Sequence, residues 1–285
     1  MTSPTPIAGD RNLGRKRMSV RGRVLFFVVA WAIVLTPFLW WRSTWFGLAL
    51  TDRDLDQYFH DQQNPRRIQH ALAQVSERMR QHDATVTRWY PELVQLASSP
   101  VEEIRNTDAW IMGQDTSRPE FHQALLGMLN DPSPLVRNNA ALSLVRFGDD
   151  SGHAQLREML QPARVVAPQP GRVTELAKPG TAIRQTGVIA KLQTASGSIE
   201  VRAPIPGRLR SLAVERGAAV EAGRELGMID PGPAQVWEAL RALYLVGRKD
   251  DLPLIAPYKT NLVNFPEKVR DQAAETERAI LERGR

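Results

Sequence analysis

A short pattern recurs along this chain, and its spacing constrains the fold more than any other feature of the sequence. VRNNAA at 136–141 is echoed by IRNTDA at 104–109, 32 residues earlier, and by VRDQAA at 269–274, with a looser copy, VWEAL, at 236–240. Self-similarity at a fixed period of about 20–50 residues marks stacked supersecondary units. Each copy opens a helix whose small alanines face inward and let a neighbouring helix come close. Asp131, Pro132, Ser133 and Pro134 supply a turn and a cap before the clearest copy. Leu142, Leu144, Val145 and Phe147, then Leu156, Met159 and Leu160 after the break at Gly148, Asp149 and Asp150, read as paired amphipathic helices.

This pattern resembles HEAT repeats. The resemblance covers residues 90–160 and, more loosely, 235–281, while 54–79 reads as a preceding helical pair. It implies a stack of helix pairs that shares one core and leaves an elongated surface for binding other proteins.

Between the two helical blocks, over 162–233, the composition shifts to short β-branched runs punctuated by Pro and Gly, the signature of a separate β-module. The module repeats internally: APQPGRV at 167–173 matches APIPGRL at 203–209 at an offset of 36, and the match continues through Leu176 and Leu212, Gly180 and Gly217, Ile183 and Val220, and Gly187 and Gly223. The glycines suit tight turns between short strands. Val173, Leu209, Leu212, Val214, Val220, Leu226 and Ile229 are its expected core.

These half-motifs resemble the biotinyl/lipoyl-carrier family, whose barrel-sandwich hybrid fold is built from two interlocked halves. The resemblance implies a modified lysine on the hairpin between the halves, but that position holds Ser196, and the nearest lysine, Lys191, belongs on a strand. Covalent biotin or lipoate is therefore not expected. Without the modifiable lysine, the module is similar to that of bacterial periplasmic adaptor (membrane fusion) proteins, whose long helical hairpin between the halves is missing here.

Towards the N-terminus, VLFFVVAWAIVLTPFLWW runs uncharged for 18 residues between Arg23 and Arg42. At 1.5 Å rise this is about 27 Å, enough to predict a single transmembrane helix anchored by Val24, Phe27, Trp31, Pro37, Trp40, Trp41 and Trp45. A cleaved signal peptide is the competing view, but the run is long for one and lacks a small-residue cleavage site. Arg15, Lys16, Arg17, Arg21 and Arg23 precede the run and set its orientation, placing the N-terminus in the cytoplasm and the C-terminal domains in the periplasm, at the bacterial inner membrane. Residues 1–22 read as a disordered basic tail, and 23–50 as the span with an interfacial segment. Through Arg11 and these five cations, set against Asp10, the first 23 residues carry +5 of the net charge of +6. The remainder is nearly neutral, which argues against nucleic acid as a partner.

The sequence offers no chemistry for catalysis. Cysteine is absent, which excludes thiolate metal sites and disulfides. The five histidines (60, 70, 82, 122 and 153) have no metal-ligand spacing, and there is no Walker loop, GxGxxG or GxSxG. Carboxylate pairs at 102–103, 149–150 and 250–251 suit helix caps. No catalytic, cofactor-binding or metal-binding residue, no cofactor and no small-molecule substrate is expected. Trp89, Trp110, Trp237, Arg208 and Arg210 are the candidate interface residues, since Trp and Arg are enriched in binding hot spots.

The expected fold class is thus multidomain and mainly α: a single transmembrane helix, then HEAT-like helix pairs forming an α-solenoid over 51–161 and 234–285, interrupted by an all-β barrel-sandwich hybrid domain at 162–233. The expected function is a non-catalytic membrane-anchored scaffold or adaptor. Its expected partners are the lipid bilayer and other integral or periplasmic membrane proteins. An accessory subunit stabilising a large respiratory or photosynthetic complex is the alternative, and a cofactor-carrier domain is a third reading.

Overall fold

In a computed structural model the residues described are 20–43, 49–260 and 265–284. They fall into two units, the first ending at Thr51 and the second comprising Asp52–Arg285. The first unit contributes one helix, α1 (Val20–Ser43), with Pro37 inside it. Val24, Phe27 and Trp31 are exposed along it. Arg15, Lys16, Arg17 and Trp45 lie outside the described residues, as do the side chains of Arg23, Trp40 and Trp41.

The transmembrane expectation is overturned. Among the described residues no helix is long and apolar enough to cross a membrane. The inner-membrane placement, with a cytoplasmic N-terminus and periplasmic domains, rested on that span and is withdrawn with it.

The second unit is a stack of helix pairs. They are α2 (Asp52–Phe59) with α3 (Pro65–Arg80), α4 (Tyr90–Leu96) with α5 (Glu102–Met112), α6 (Pro119–Met128) with α7 (Pro134–Arg146), α8 (His153–Glu158) with α9 (Pro233–Val246), and α10 (Leu252–Ile255) with α11 (Glu267–Arg283). The second members, α3, α5, α7, α9 and α11, pack side by side as one row. The recurring pattern explains the row: Ile104, Val136, Val236 and Val269, the first residue of each copy, are all buried.

Neighbouring helices in this row are also tied by hydrogen bonds at matched positions. Ser143 Oγ donates to the Ala109 carbonyl (2.8 Å) from α7 to α5, and Thr276 Oγ1 donates to the Leu240 carbonyl (2.9 Å) from α11 to α9. Both donors stand seven residues after the valine that opens their copy.

The loops repeat as well. Asp83, Asp115 and Asp149 each follow a second-row helix and accept the amide of Thr85, Ser117 or Ser151 two residues on. Such a local carboxylate bond fixes the turn between one helix and the next.

The β-module divides the fourth pair, leaving α8 on one side and α9 on the other. Sequence periodicity alone would not show that a pair could be opened this way. The array nevertheless keeps one core across the break, because Val145, Leu156, Met159, Val236, Leu240, Ile255, Val269 and Ile280 form a single cluster. Entry and exit of the insert are adjacent, with Ala163 paired to Ile229, and Gln235 Nε2 donates to the Met159 carbonyl (3.0 Å).

The module's first half holds β1 (Ala163–Val166), β2 (Gly171–Leu176), β3 (Ala182–Ile183) and β4 (Val188–Thr194). Its second half holds β5 (Gly197–Arg202), β6 (Gly207–Leu212), β7 (Ala219–Val220) and β8 (Glu225–Pro231). The halves interlock. One antiparallel sheet has the order β1-β8-β6-β3 and the other β5-β4-β2-β7, so each sheet takes its inner strands from one half and its edges from the other. The expected barrel is corrected here: two four-stranded antiparallel sheets face a common core, and hydrogen bonding within each ends at its edge strands without closing. The half-motifs dictate pairing within and between the halves, whereas closure would require β1 to meet β3 or β5 to meet β7.

Val173, Leu209, Val220, Leu226 and Ile229 fill the core between the sheets, and Leu212 and Val214 pack partly buried against it. Gly180 and Gly217 hold equivalent turns at φ +86° and +91°, a region that L side chains enter at a cost. Across these turns the halves clasp each other reciprocally: Arg172 Nη1 donates to the Gly217 carbonyl (2.5 Å), and Arg208 Nη1 donates to the Gly180 carbonyl (2.8 Å).

Candidate functional site

A groove of about 630 Å³ opens along the second row of the array, lined by residues of α5, α7, α9 and α11. Its floor is apolar, with Leu142 and Val145 from α7 and Ala242 from α9. Trp110 of α5 lines it, 43% exposed, as do Tyr244 and Leu245 of α9, 42% and 60% exposed. Two of the lining helices therefore carry large apolar side chains that the protein leaves in water.

The polar lining is balanced in charge. Arg146 and Arg241 are set against Glu238 and Glu275, and Asn139, Ser143 and Gln272 complete it. Asn139 spends its amide on the Asn106 side-chain oxygen (2.9 Å), which fixes its position on the wall. No nucleophile with an adjoining base lines the groove, and among the described residues no cluster of three His, Asp or Glu could hold a metal ion. The groove can exclude water from an apolar side chain and offer charged groups at its edge, which is what a protein-binding surface requires.

The five residues singled out from the sequence divide by environment. Trp89 is fully buried, donates through Nε1 to Asp56 Oδ1 (2.9 Å), and is stacked by Arg78 and Arg88 at 4.9 and 5.3 Å from its ring, so it is a core residue. Trp237 is partly buried against the array core, with Arg241 and Lys268 over its ring at 4.7 and 5.1 Å. Of the three tryptophans, Trp110 alone lines the groove.

Arg208 is exposed on the β-module, while Arg210 is paired with Asp230 (2.5 Å) beside a cavity of about 230 Å³ at the seam with the array. In that seam Tyr258 donates to the Leu160 carbonyl (2.5 Å), and burial, aided by the nearby Asp230, pushes its phenol up to about 12.

Sequence reasoning missed Tyr244 and Leu245. Their signal was present: residues 242–246 are continuously apolar, more than one face of α9 can bury, so two of them had to remain outside.

A buried polar cluster fastens the array just beyond the insertion. Asp251, fully buried, accepts from Arg157 Nη1 (2.5 Å) and the Arg248 amide (2.7 Å) and lies 2.8 Å from His153 Nε2. Burial pushes this carboxyl up, but the Arg248 amide, His153 and Arg157 together outweigh it and hold it below the usual carboxylate range. The same design appears one repeat earlier, where His122 Nε2 lies 2.6 Å from Asp149. It appears again before that, where Tyr90 donates to Asp115 (2.8 Å).

Asp108 is the exception in the array. It is fully buried, neither carboxylate oxygen has a hydrogen-bond partner, and burial raises it well above the usual range. Ala140 and Ala273 hold the equivalent slot in two other copies of the pattern.

Comparisons with known proteins bear on one stretch of the array. Residues 90–167 match the family model for HEAT repeats, so this stretch is a HEAT-repeat segment. No protein of curated function matches the chain. Among solved structures, a single-chain, multi-domain long-chain acyl-CoA carboxylase is similar at 16% identity and a TM-score of 0.24, over 34% of this chain and 10% of that one. A likeness of that size carries no argument about fold or activity.

Proposed function

We propose that this chain is a non-catalytic scaffold that grips a partner protein in the groove of its HEAT-like array, with the β-module as a second contact surface. The observation that carries this reading is the set of exposed apolar side chains lining the groove, Trp110 from α5 and Tyr244 with Leu245 from α9, beside Leu142, Val145 and Ala242. Aromatic side chains poised beside a water-excluding cleft are the usual anchors of protein interfaces. The groove also lies at the α7–α9 junction, where the array is interrupted, so a partner seated there would touch helices from both sides of the insertion.

We read the β-module as a relative of the biotinyl/lipoyl fold that lacks the modifiable lysine, of the kind that serves as a passive module in adaptor proteins. Its interlocked halves support that reading, as do Ser196 at the β4–β5 tip and Lys191 paired with Glu175 (3.0 Å) on strand β4.

The test is affinity purification of the tagged chain from its native cells in parallel with the W110A/L245A variant, with quantitative mass spectrometry of what co-migrates and of the chain's own intact mass. The scaffold reading expects at least one protein to be retained by the wild type and depleted with the variant. Identical partner profiles would sink it, and an added cofactor mass on the chain would favour a carrier role instead.

A further inference from the structure

The two halves of the β-module are alike in backbone but opposite in charge at their matched turns. With Gly180 aligned on Gly217 and Ile183 on Val220, Lys178 corresponds to Glu215 and Arg184 to Glu221. Residues 176–199 contain no acidic residue, whereas the matched stretch 212–235 contains Glu215, Glu221, Glu225 and Asp230.

The register gathers the cations of the first turn. Ala182 on β3 faces Arg208 on β6, and Arg184 lies two residues further on the same outward side. Arg208 also reaches the turn itself by donating to the Gly180 carbonyl (2.8 Å), which leaves its charge uncompensated. Lys178, Arg184 and Arg208 are all exposed, and among the described residues none of them forms an ion pair. The nearest acid across β6, Asp230, is already held by Arg210 (2.5 Å).

We propose that this turn, bearing Lys178, Arg184 and Arg208, is a docking point for an acidic segment of a partner protein. The scale of the charge selects a peptide over other polyanions. Three cations gathered around one turn suit a few carboxylates, and although residues 162–233 carry ten Lys and Arg against six Asp and Glu, Arg164, Lys191, Arg202 and Arg210 are already spent in ion pairs. No aromatic residue occurs between 162 and 232 on which a base could stack. The proposal does not depend on the groove of the array.

The experiment is fluorescence anisotropy of the full chain with a labelled poly-glutamate peptide, at low and at high ionic strength. The expected result is salt-sensitive binding that K178E/R184E weakens on the order of tenfold and K178Q/R184Q weakens less. R216Q, on the matched turn of the other half, is expected to leave it unchanged. Circular dichroism identifies any variant that fails to fold, in which case the neutral K178Q/R184Q pair decides. Absence of peptide binding by the wild type would overturn the proposal, as would equal losses in R216Q. Tighter binding to phosphatidylserine vesicles than to the peptide through the same residues would also overturn it, by assigning the turn to a lipid surface.

Discussion

The helical array and the β-module both repeat a short motif, yet they use repetition differently. In the array each copy leans on the next, so the stack can be opened between α8 and α9 and resealed by one shared core. In the β-module the two copies exchange edge strands and clasp each other's turns, so neither half has a sheet of its own. A stack tolerates interruption because its interactions are between neighbours, whereas an interlocked pair is cooperative throughout. That contrast accounts for which of the two carries the insertion and which one is inserted.

The contrast breaks first at Asp251. Asp251→Ala strips the buried partner from His153 and Arg157 and is expected to cost about 3–5 kcal/mol. Hydrogen exchange should then show α8 to α11 losing protection while β2, β4 and β6 keep theirs. Uniform loss across both parts would show that they are one cooperative unit. The folded carboxyl lies below its ordinary value of 3.8, so its contribution is present above that pH and lost as pH falls through the folded value. The stability gap between wild type and Asp251→Asn should accordingly narrow in acid.

Asp108 tests the array in the opposite direction. Replacing this unpartnered carboxyl by Asn or Ala is expected to stabilise the chain by about 1–3 kcal/mol at neutral pH, read by chemical denaturation. Burial raises the folded carboxyl above 3.8, so the native protein carries no penalty below that pH and loses stability as pH rises toward the folded value. The gain from substitution should therefore be larger at pH 7 than at pH 4. An equal gain at both would mean the carboxyl is not desolvated.

Within the β-module, Gly180→Ala and Gly217→Ala should each cost about 1–2 kcal/mol, because both turns need positive φ even though an added methyl would meet open space. Markedly unequal costs would show that the halves are not energetically equivalent. The smallest expected effect is in the array, where Ser143→Ala and Thr276→Val each remove one bond between neighbouring second-row helices, about 1 kcal/mol apiece. Since these sites flank the insertion on opposite sides, their effects should add, and a large coupling would contradict the neighbour-only picture.

Much of this organisation is legible in the sequence because repetition advertises it. The valine or isoleucine opening each copy is buried, and the offset of 36 in the β-module relates strands that occupy matching places in the two sheets. What is not legible depends on separation or on context. The contacts of Asp251 with His153 and Arg157 join residues 98 and 94 apart across the insert, and nothing local announces them.

Tryptophan identity does not distinguish Trp89, enclosed beneath two arginines, from Trp110 lining the groove. The apolar run after Arg23 correctly announces a helix, but helix formation and sufficient apolar length are separate conditions, and the described part meets only the first. Half-motif spacing likewise encodes strand pairing without encoding whether the sheets close.

The central claim, that the groove at the α7–α9 junction is where a protein partner sits, is tested most directly by site-specific photocrosslinking in native cells. A photoreactive amino acid placed at Tyr244, in the groove, is compared with one at the equally exposed Val166 on β1. The account predicts a discrete adduct with a defined protein from position 244, absent from 166 and abolished by W110A. Adducts that are identical from both positions, or that persist unchanged in W110A, would contradict it.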